Sequence, residues 1–217
     1  GGGTVSFGAL LEAGAGNNDS LVIASGTGDV TFTGNIGTSN ELGGLDVNAA
    51  TAGTGDITFT GNIGVSGGQS GVFGTTAIGG TTTENVHFNS TYYGFDGGTT
   101  TIVATNDSGL GDDENIELGA NSTVTFKAAG EALSFNTSKI DLSNGADLSI
   151  DSTGGAITIA GIAGTSAEIV TITAGADATT TETVSIGDVG DSNHAEIHNL
   201  TITADDGITL TGAIYTA

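Results

Sequence analysis

An acidic turn at residues 106–114 holds the densest group of potential metal ligands in the chain. It reads Asn-Asp-Ser-Gly-Leu-Gly-Asp-Asp-Glu, and carboxylate and amide oxygens are the ligands that hard cations prefer. The turn therefore predicts Ca²⁺ as the one candidate cofactor, bound by Asp107, Asp112, Asp113 and Glu114. The alternative interpretation is a solvated loop in a protein that has few cations to pair with.

Two histidines in the segment His194-Ala195-Glu196-Ile197-His198 have the residue types of a metalloprotease site but not its order. Zinc proteases place His-Glu-x-x-His on one face of a helix. On a strand, His194 and His198 would lie about 13 Å apart, which is too far to share one metal ion. We therefore expect both to be surface histidines.

No pattern in the sequence is typical of an enzyme. Asp and Glu total 25, which is enough for the paired carboxylates of a glycosidase, but the chain has no Trp to form a sugar-binding platform. Polysaccharide lyases built on β-helices generally rely on Lys or Arg, and this chain has only Lys127 and Lys139. We therefore predict that the protein is not an enzyme.

The net charge of −23 limits the partners of the protein. Two lysines and no arginine cannot neutralise a row of phosphates, so nucleic acid is excluded as a partner. Anionic membrane surfaces are disfavoured for the same reason. No stretch approaches the roughly 20 apolar residues that a membrane-spanning helix needs. The charge keeps copies of the protein soluble and attracts divalent cations.

Short strands must position all of these side chains, because apolar residues alternate with Thr, Ser or His along the chain. A strand, a Gly/Asp turn and a second strand recur as one unit at residues 21–36 and 45–63, with weaker copies at 148–161 and 200–212. This alignment puts Ile57 and Ile157 at equivalent positions, roughly four units of about 25 to 27 residues apart. A unit that recurs in this way stacks on its neighbours to bury its apolar face.

The repeat predicts an all-β fold with one domain over residues 1–217, wound as a parallel β-solenoid of about 25 to 27 residues per coil. We expect Gly34, Gly61, Gly161 and Gly212 at its corners, where the backbone needs a positive φ. Residues 65–120 break the period and are predicted to be rich in loops. The alternative fold is an antiparallel β-sandwich of jelly-roll or Greek-key type, as in a pilin-like subunit.

The repeated sequence Gly-Asp-Val/Ile-Thr-Phe-Thr-Gly-Asn-Ile-Gly, with its preceding Leu-x-Val/Ile strand, resembles the β-strand repeats of large bacterial surface proteins of the filamentous-haemagglutinin and adhesin type. The resemblance covers most of residues 19–64 and 147–214. It implies an extracellular or cell-surface β-helix that serves as a stalk, fibre or matrix element. Since members of that family are usually far longer, it also implies either an excerpt or a subunit that gains length by assembly.

Strand-like residues at both ends of the sequence predict that copies of the chain bind one another head to tail in a homopolymer. We expect Val5 and Phe7 at one end and Leu210 and Ile214 at the other to form the subunit interface. Unlike ends generate open filaments, and donation of a terminal strand is one way to seal the joint. The alternative function is an adhesin segment that binds a glycan or host surface through residues 65–120, with the help of Ca²⁺.

Overall fold

A computed structural model describes residues 2–16, 18–48, 55–68, 70–104, 116–119, 121–142, 145–165, 167–175, 182–190 and 197–216. All regular structure in these residues is β, in eighteen strands, which confirms the predicted all-β class. No helix that could span a membrane occurs among them. Every pairing between the described strands is parallel, so the antiparallel sandwich is not the arrangement seen.

The chain visits three faces in turn and then repeats the cycle. The first face stacks β1 (Val5–Phe7), β3 (Val30–Phe32), β5 (Ile57–Phe59), β7 (Val86–Phe88) and β10 (Ile116–Leu118). The second face begins with the bridged residues Leu11, Ile36 and Ile63 and continues in β8 (Tyr92–Asp96), β11 (Thr123–Ala129), β13 (Asp147–Ser152), β15 (Ile169–Ala174) and β17 (Asn199–Ala204). The third face stacks β2 (Ser20–Ile23), β4 (Gly44–Val47), β6 (Thr76–Gly80), β9 (Thr100–Ala104) and, at the far end, β18 (Gly207–Leu210).

Three long strands turn a corner and join two of these faces. They are β12 (Leu133–Asp141), β14 (Ile157–Ala163) and β16 (Thr183–Val189). Each begins on the third face and ends on the first, with a register shift in β12 between Phe135 and Lys139. Hydrogen bonding therefore joins the first and third faces into one thirteen-stranded sheet, while the second face contains a separate five-stranded sheet.

Each strand pairs with a strand that lies one coil further along the chain. Paired residues of neighbouring strands are separated by 22 residues in the shortest coil and 33 in the longest, a range that includes the predicted 25 to 27. Alternate residues point inward and are buried, as in β5 and β7. This connectivity is consistent with the predicted parallel β-solenoid.

The repeated motif is explained by side chains that tie one coil to the next at the two edges of the first face. The backbone N–H of Asp56 donates to Asp29 Oδ1 at 3.1 Å, before the strand. The backbone N–H of Asn62 donates to Asn35 Oδ1 at 2.9 Å, after it. Between these ties, Phe32 and Phe59 enter the core. Asp, Phe and Asn therefore recur together because each satisfies or buries a group in the adjacent coil.

The weaker sequence copies were aligned one face out of register. Ile57 lies on the first face, opposite Val30 and Val86. Ile157 lies on the third face, opposite Leu133 and Val184. The alignment failed because coils vary in length and all three faces carry the same alternation of apolar and hydroxyl residues.

Two further expectations differ from the structure. Gly34, Gly61, Gly161 and Gly212 are absent from the glycines with positive φ. Within residues 65–120, the strands β6 to β10 continue the faces, where loops were predicted. The coils that contain these strands are the longest, with Thr100 and Leu133 paired 33 residues apart, and the longer corners hide the period.

Candidate functional site

The two end coils form the best candidate site, because the continuous core is least covered there. The first coil consists of β1, Leu11 and β2, and its apolar residues Val5, Phe7 and Leu21 are only partly buried. The last coil consists of β17, β18 and the bridged residue Ile214. Apolar side chains that a core would normally cover are therefore available at both ends of the stack.

The inward-facing apolar residues of the third face and of the bridge on the first face are more exposed in the last coil than in the first. Ile208 and Leu210 are each 47% exposed and Ile214 is 38% exposed. Their neighbours one coil earlier, Val184, Ile186 and Val189, are fully buried. The residues are equally apolar, so the difference in exposure comes from their position in the final coil.

The end strands also have unpaired backbone edges. Among the described strands, β1 pairs only with β3 and β2 only with β4. At the other end, β17 pairs only with β15 and β18 only with β16. Each end therefore presents N–H and C=O groups that can add a parallel strand.

The four residues predicted to form a subunit interface lie in these coils. Val5 and Phe7 lie together in β1 of the first coil. Leu210 and Ile214 lie in the last coil, on the third and first faces respectively. The predicted pairs thus lie at opposite ends of the stack. Sequence reasoning missed Leu11 and Ile202, which lie on the second face at the two ends.

The partly buried carboxylate of Glu12 orders the corner after the first coil. Glu12 accepts hydrogen bonds from the backbone N–H groups of Thr38, Ser39 and Asn40 and from the Thr38 hydroxyl. Burial alone would raise the pKa of Glu12, but these hydrogen bonds lower it below its usual value. The carboxylate is therefore a structural tie between the first two coils.

The predicted calcium ligands Asp107, Asp112, Asp113 and Glu114 lie outside the described residues. Within the described residues, no group of three or more His, Asp or Glu side chains could hold a metal ion. His194 also lies outside the described part, whereas His198 is exposed beside β17.

A polar cluster on the outside of the first face was not predicted. His87 Nδ1 lies 2.9 Å from Glu117 Oε2 in the next coil, and His87 Nε2 lies 3.9 Å from Asp56 Oδ2. The hydrogen bond to Glu117 raises the pKa of His87, and the same bond lowers the pKa of Glu117. The two residues are one coil apart in the sequence, so their contact could have been predicted only by knowing that Glu117 pairs with His87 in the strand register.

An open groove of about 370 Å³ lies on the outside of the third face, near the first coil. Its lining includes Gly43, Gly44, Ser20, Val22, Asp46 and Thr75. Val22 is 68% exposed there. The volume is within the range of small-ligand sites, and the lining places the apolar Val22 beside the carboxylate of Asp46 and the hydroxyls of Ser20 and Thr75.

Comparison of the chain with models of known families, with curated proteins and with solved structures finds no match.

Proposed function

We propose that the chain is a parallel β-solenoid that serves as an extracellular structural protein, the subunit of a head-to-tail filament, sheath or surface matrix. The observation that supports it is the pair of unlike end coils, each with uncovered apolar residues and unpaired strand edges. Contact between unlike ends does not close on itself, so it generates open filaments rather than dimers. The sequence resemblance to bacterial surface β-repeats supports the extracellular location.

The end coils provide a driving force of useful size. Complete burial of a Leu or Ile side chain contributes about 1.5–3 kcal/mol, so burying the half-exposed Ile208, Leu210 and Ile214 contributes a few kcal/mol. Partly buried residues of the first coil and the backbone hydrogen bonds of two strand edges add to this. Association costs about 4–15 kcal/mol in lost translational and rotational freedom, so we expect moderate affinity for each joint.

Electrostatic repulsion opposes assembly, because each copy carries a net charge of −23. Salt screens this repulsion, with a Debye length of about 10 Å at 0.1 M. Filament formation should therefore increase with NaCl concentration. A fibre held together by ion pairs would respond in the opposite direction.

Light scattering and negative-stain microscopy across a NaCl series test the proposal. We expect monomers at low salt and fibres of uniform width at high salt. Leu210→Asn should suppress fibres, since it replaces an apolar end-coil side chain that is 47% exposed. Ile169→Asn is the matched control, because Ile169 is 43% exposed on the side of the stack, in β15. A monodisperse monomer at every salt concentration contradicts the proposal, as does equal loss of fibres in both variants.

The second candidate function is an adhesin segment that binds a glycan or host surface. The open groove beside Val22 and Asp46 supports it, since it offers apolar surface next to a carboxylate and hydroxyl groups. Glycan-array binding by the wild-type chain, abolished by Gly44→Leu in the groove lining, would favour this function over the structural one. Isolated rods that bind no glycan would argue against it.

A further inference from the structure

We infer that copies join in one register, in which each inward column of side chains continues from the last coil of one copy into the first coil of the next. The inference rests on the proposed head-to-tail assembly and specifies its contacts. Ile214 packs on Val5, Ile202 on Leu11, Ile208 on Leu21 and Leu210 on Ile23.

The strand pairings carry this inference, because each apolar residue of the first coil begins a column that can be followed to the last. On the first face, Val5 leads through the paired residues of every coil to Ile214. On the third face, Leu21 leads to Ile208 and Ile23 leads to Leu210. When copies stack along the axis, the last residue of each column in one copy therefore lies one coil spacing, about 4.8 Å, from the first residue of the same column in the next copy.

The second face also has a column of paired residues that runs from the first coil to the last. Leu11 leads through Ile36, Ile63 and Tyr93 to the strands of the second sheet, and the column ends at Ile202. Among the described residues, the C-terminal segment does not cover this position, because Thr216 pairs with Ile197, upstream of Ile202. All three faces thus accept the next copy without rearrangement of the last coil.

Side chains on the outside of the joint are compatible with this register. It places Val22 opposite Thr209, Ser6 opposite Tyr215 and Glu12 opposite Thr203, so none of these pairs brings two charges together. Among the described residues, it places one like-charged pair directly opposite each other at a corner, Asp19 and Asp206. In a protein with a net charge of −23, a joint with a single carboxylate pair is a favourable way for two copies to meet.

Cysteine cross-linking tests the register directly, since the wild-type chain has no Cys. In the double variant Val22→Cys, Thr209→Cys the two cysteines of adjacent copies lie opposite each other on neighbouring strands, with Cα atoms about 4.8 Å apart. That spacing is within the range of about 4.4–6.8 Å between the Cα atoms of a disulfide. Inside one copy the same positions are seven coils apart, about 34 Å, so every disulfide formed must join two molecules.

The result expected is a ladder of disulfide-linked oligomers on a non-reducing gel after mild oxidation of preformed fibres. The control variant Val22→Cys, Thr201→Cys places its thiols on different faces and should give no ladder beyond dimers. The single variant Val22→Cys should give the same result as this control. Fibres that form without the Val22–Thr209 ladder overturn the register but leave the assembly standing. The absence of fibres overturns both.

The pair Asp19 and Asp206 gives a second test. Its readout is a lower critical concentration for assembly, which a structural defect would not produce. Asp206→Asn removes the repulsion from Asp19 and should lower the critical concentration for assembly about two- to fivefold. Glu131→Gln removes one charge from an exposed position far from either end and serves as the control for net charge. Equal effects of the two variants contradict the inferred register.

Discussion

The rings of Phe32 and Phe59 lie parallel in consecutive coils, with centroids 4.9 Å apart and planes within 1° of each other. The stack continues to Phe7 at one end and to Phe88 at the other. Beyond Phe88, the packing changes to edge-to-face contacts with Tyr93 and Phe126. Equivalent residues of successive coils therefore make the core by repeating one contact, and the pattern ends where the coils lengthen.

We predict that Phe59→Ala lowers the free energy of unfolding by about 3–5 kcal/mol, because the ring is fully buried between two others and its loss leaves a cavity. Thr58→Ala, on the outside of the same strand, should change it by about 0.5 kcal/mol or less. Denaturant unfolding followed by circular dichroism measures both. Comparable effects of the two substitutions would show that the ring stack contributes little.

A second prediction concerns Gly61, at the corner after the first face. A Cβ atom at this position would overlap the carbonyl oxygen of Gly34 in the preceding coil. Gly61→Ala should therefore destabilise the protein by about 2 kcal/mol or more, because the backbones of two coils must move apart. Gly8→Ala is the control, since a Cβ there meets only Thr33 Oγ1 at 4.0 Å. A stable Gly61→Ala protein would contradict the close approach of the coils.

The four predicted corner glycines, Gly34, Gly61, Gly161 and Gly212, show what the sequence could predict and what it could not. Their position at corners was predicted from the repeat, but the reason assigned to them, positive φ, was wrong. Gly34, Gly61 and Gly212 are needed because a Cβ atom there would overlap backbone atoms of the neighbouring coil. A single sequence reveals where a residue type recurs, whereas the contact that demands it joins residues a whole coil apart.

The pairing register of the strands could also be predicted only in part from the sequence. The strong copies of the repeat were matched correctly, since Leu21 pairs with Leu45 and Val30 pairs with Ile57. The weak copies were placed one face out, and the contact between His87 and Glu117 followed from the same unknown register. Alternation of apolar and polar residues defines which side chains point inward but not which face a strand joins.

A third prediction concerns two buried threonines, Thr76 and Thr100, which are neighbours in one inward column. Neither hydroxyl has a hydrogen-bond partner among the described residues. Replacing either by the isosteric Val should stabilise the protein by about 1 kcal/mol, because an unsatisfied buried hydroxyl is removed at constant volume. Thr83→Val should instead destabilise it, since the buried Thr83 hydroxyl accepts the Gly80 N–H at 2.9 Å. Melting temperatures that fall in all three variants would contradict this explanation.

The last prediction concerns the pH dependence of stability that arises from His87 and Glu117. The pKa of His87 is raised above its ordinary value of 6.5, so its contribution is complete below pH 6.5 and is lost as the pH rises through the raised value. The pKa of Glu117 is lowered below 4.5, so its contribution is present above pH 4.5 and is lost on acidification. The pair therefore stabilises the fold most between these two values.

Between pH 6 and pH 8.5 the free energy of unfolding should fall by about 0.5–1 kcal/mol, a modest change because the pair is partly exposed to solvent. Urea unfolding at constant ionic strength across this range measures it. His87→Gln should abolish the slope, whereas His198→Gln, which alters an exposed histidine beside β17, should retain it. If His87→Gln kept the wild-type slope, the hydrogen bond between adjacent coils would not be its source.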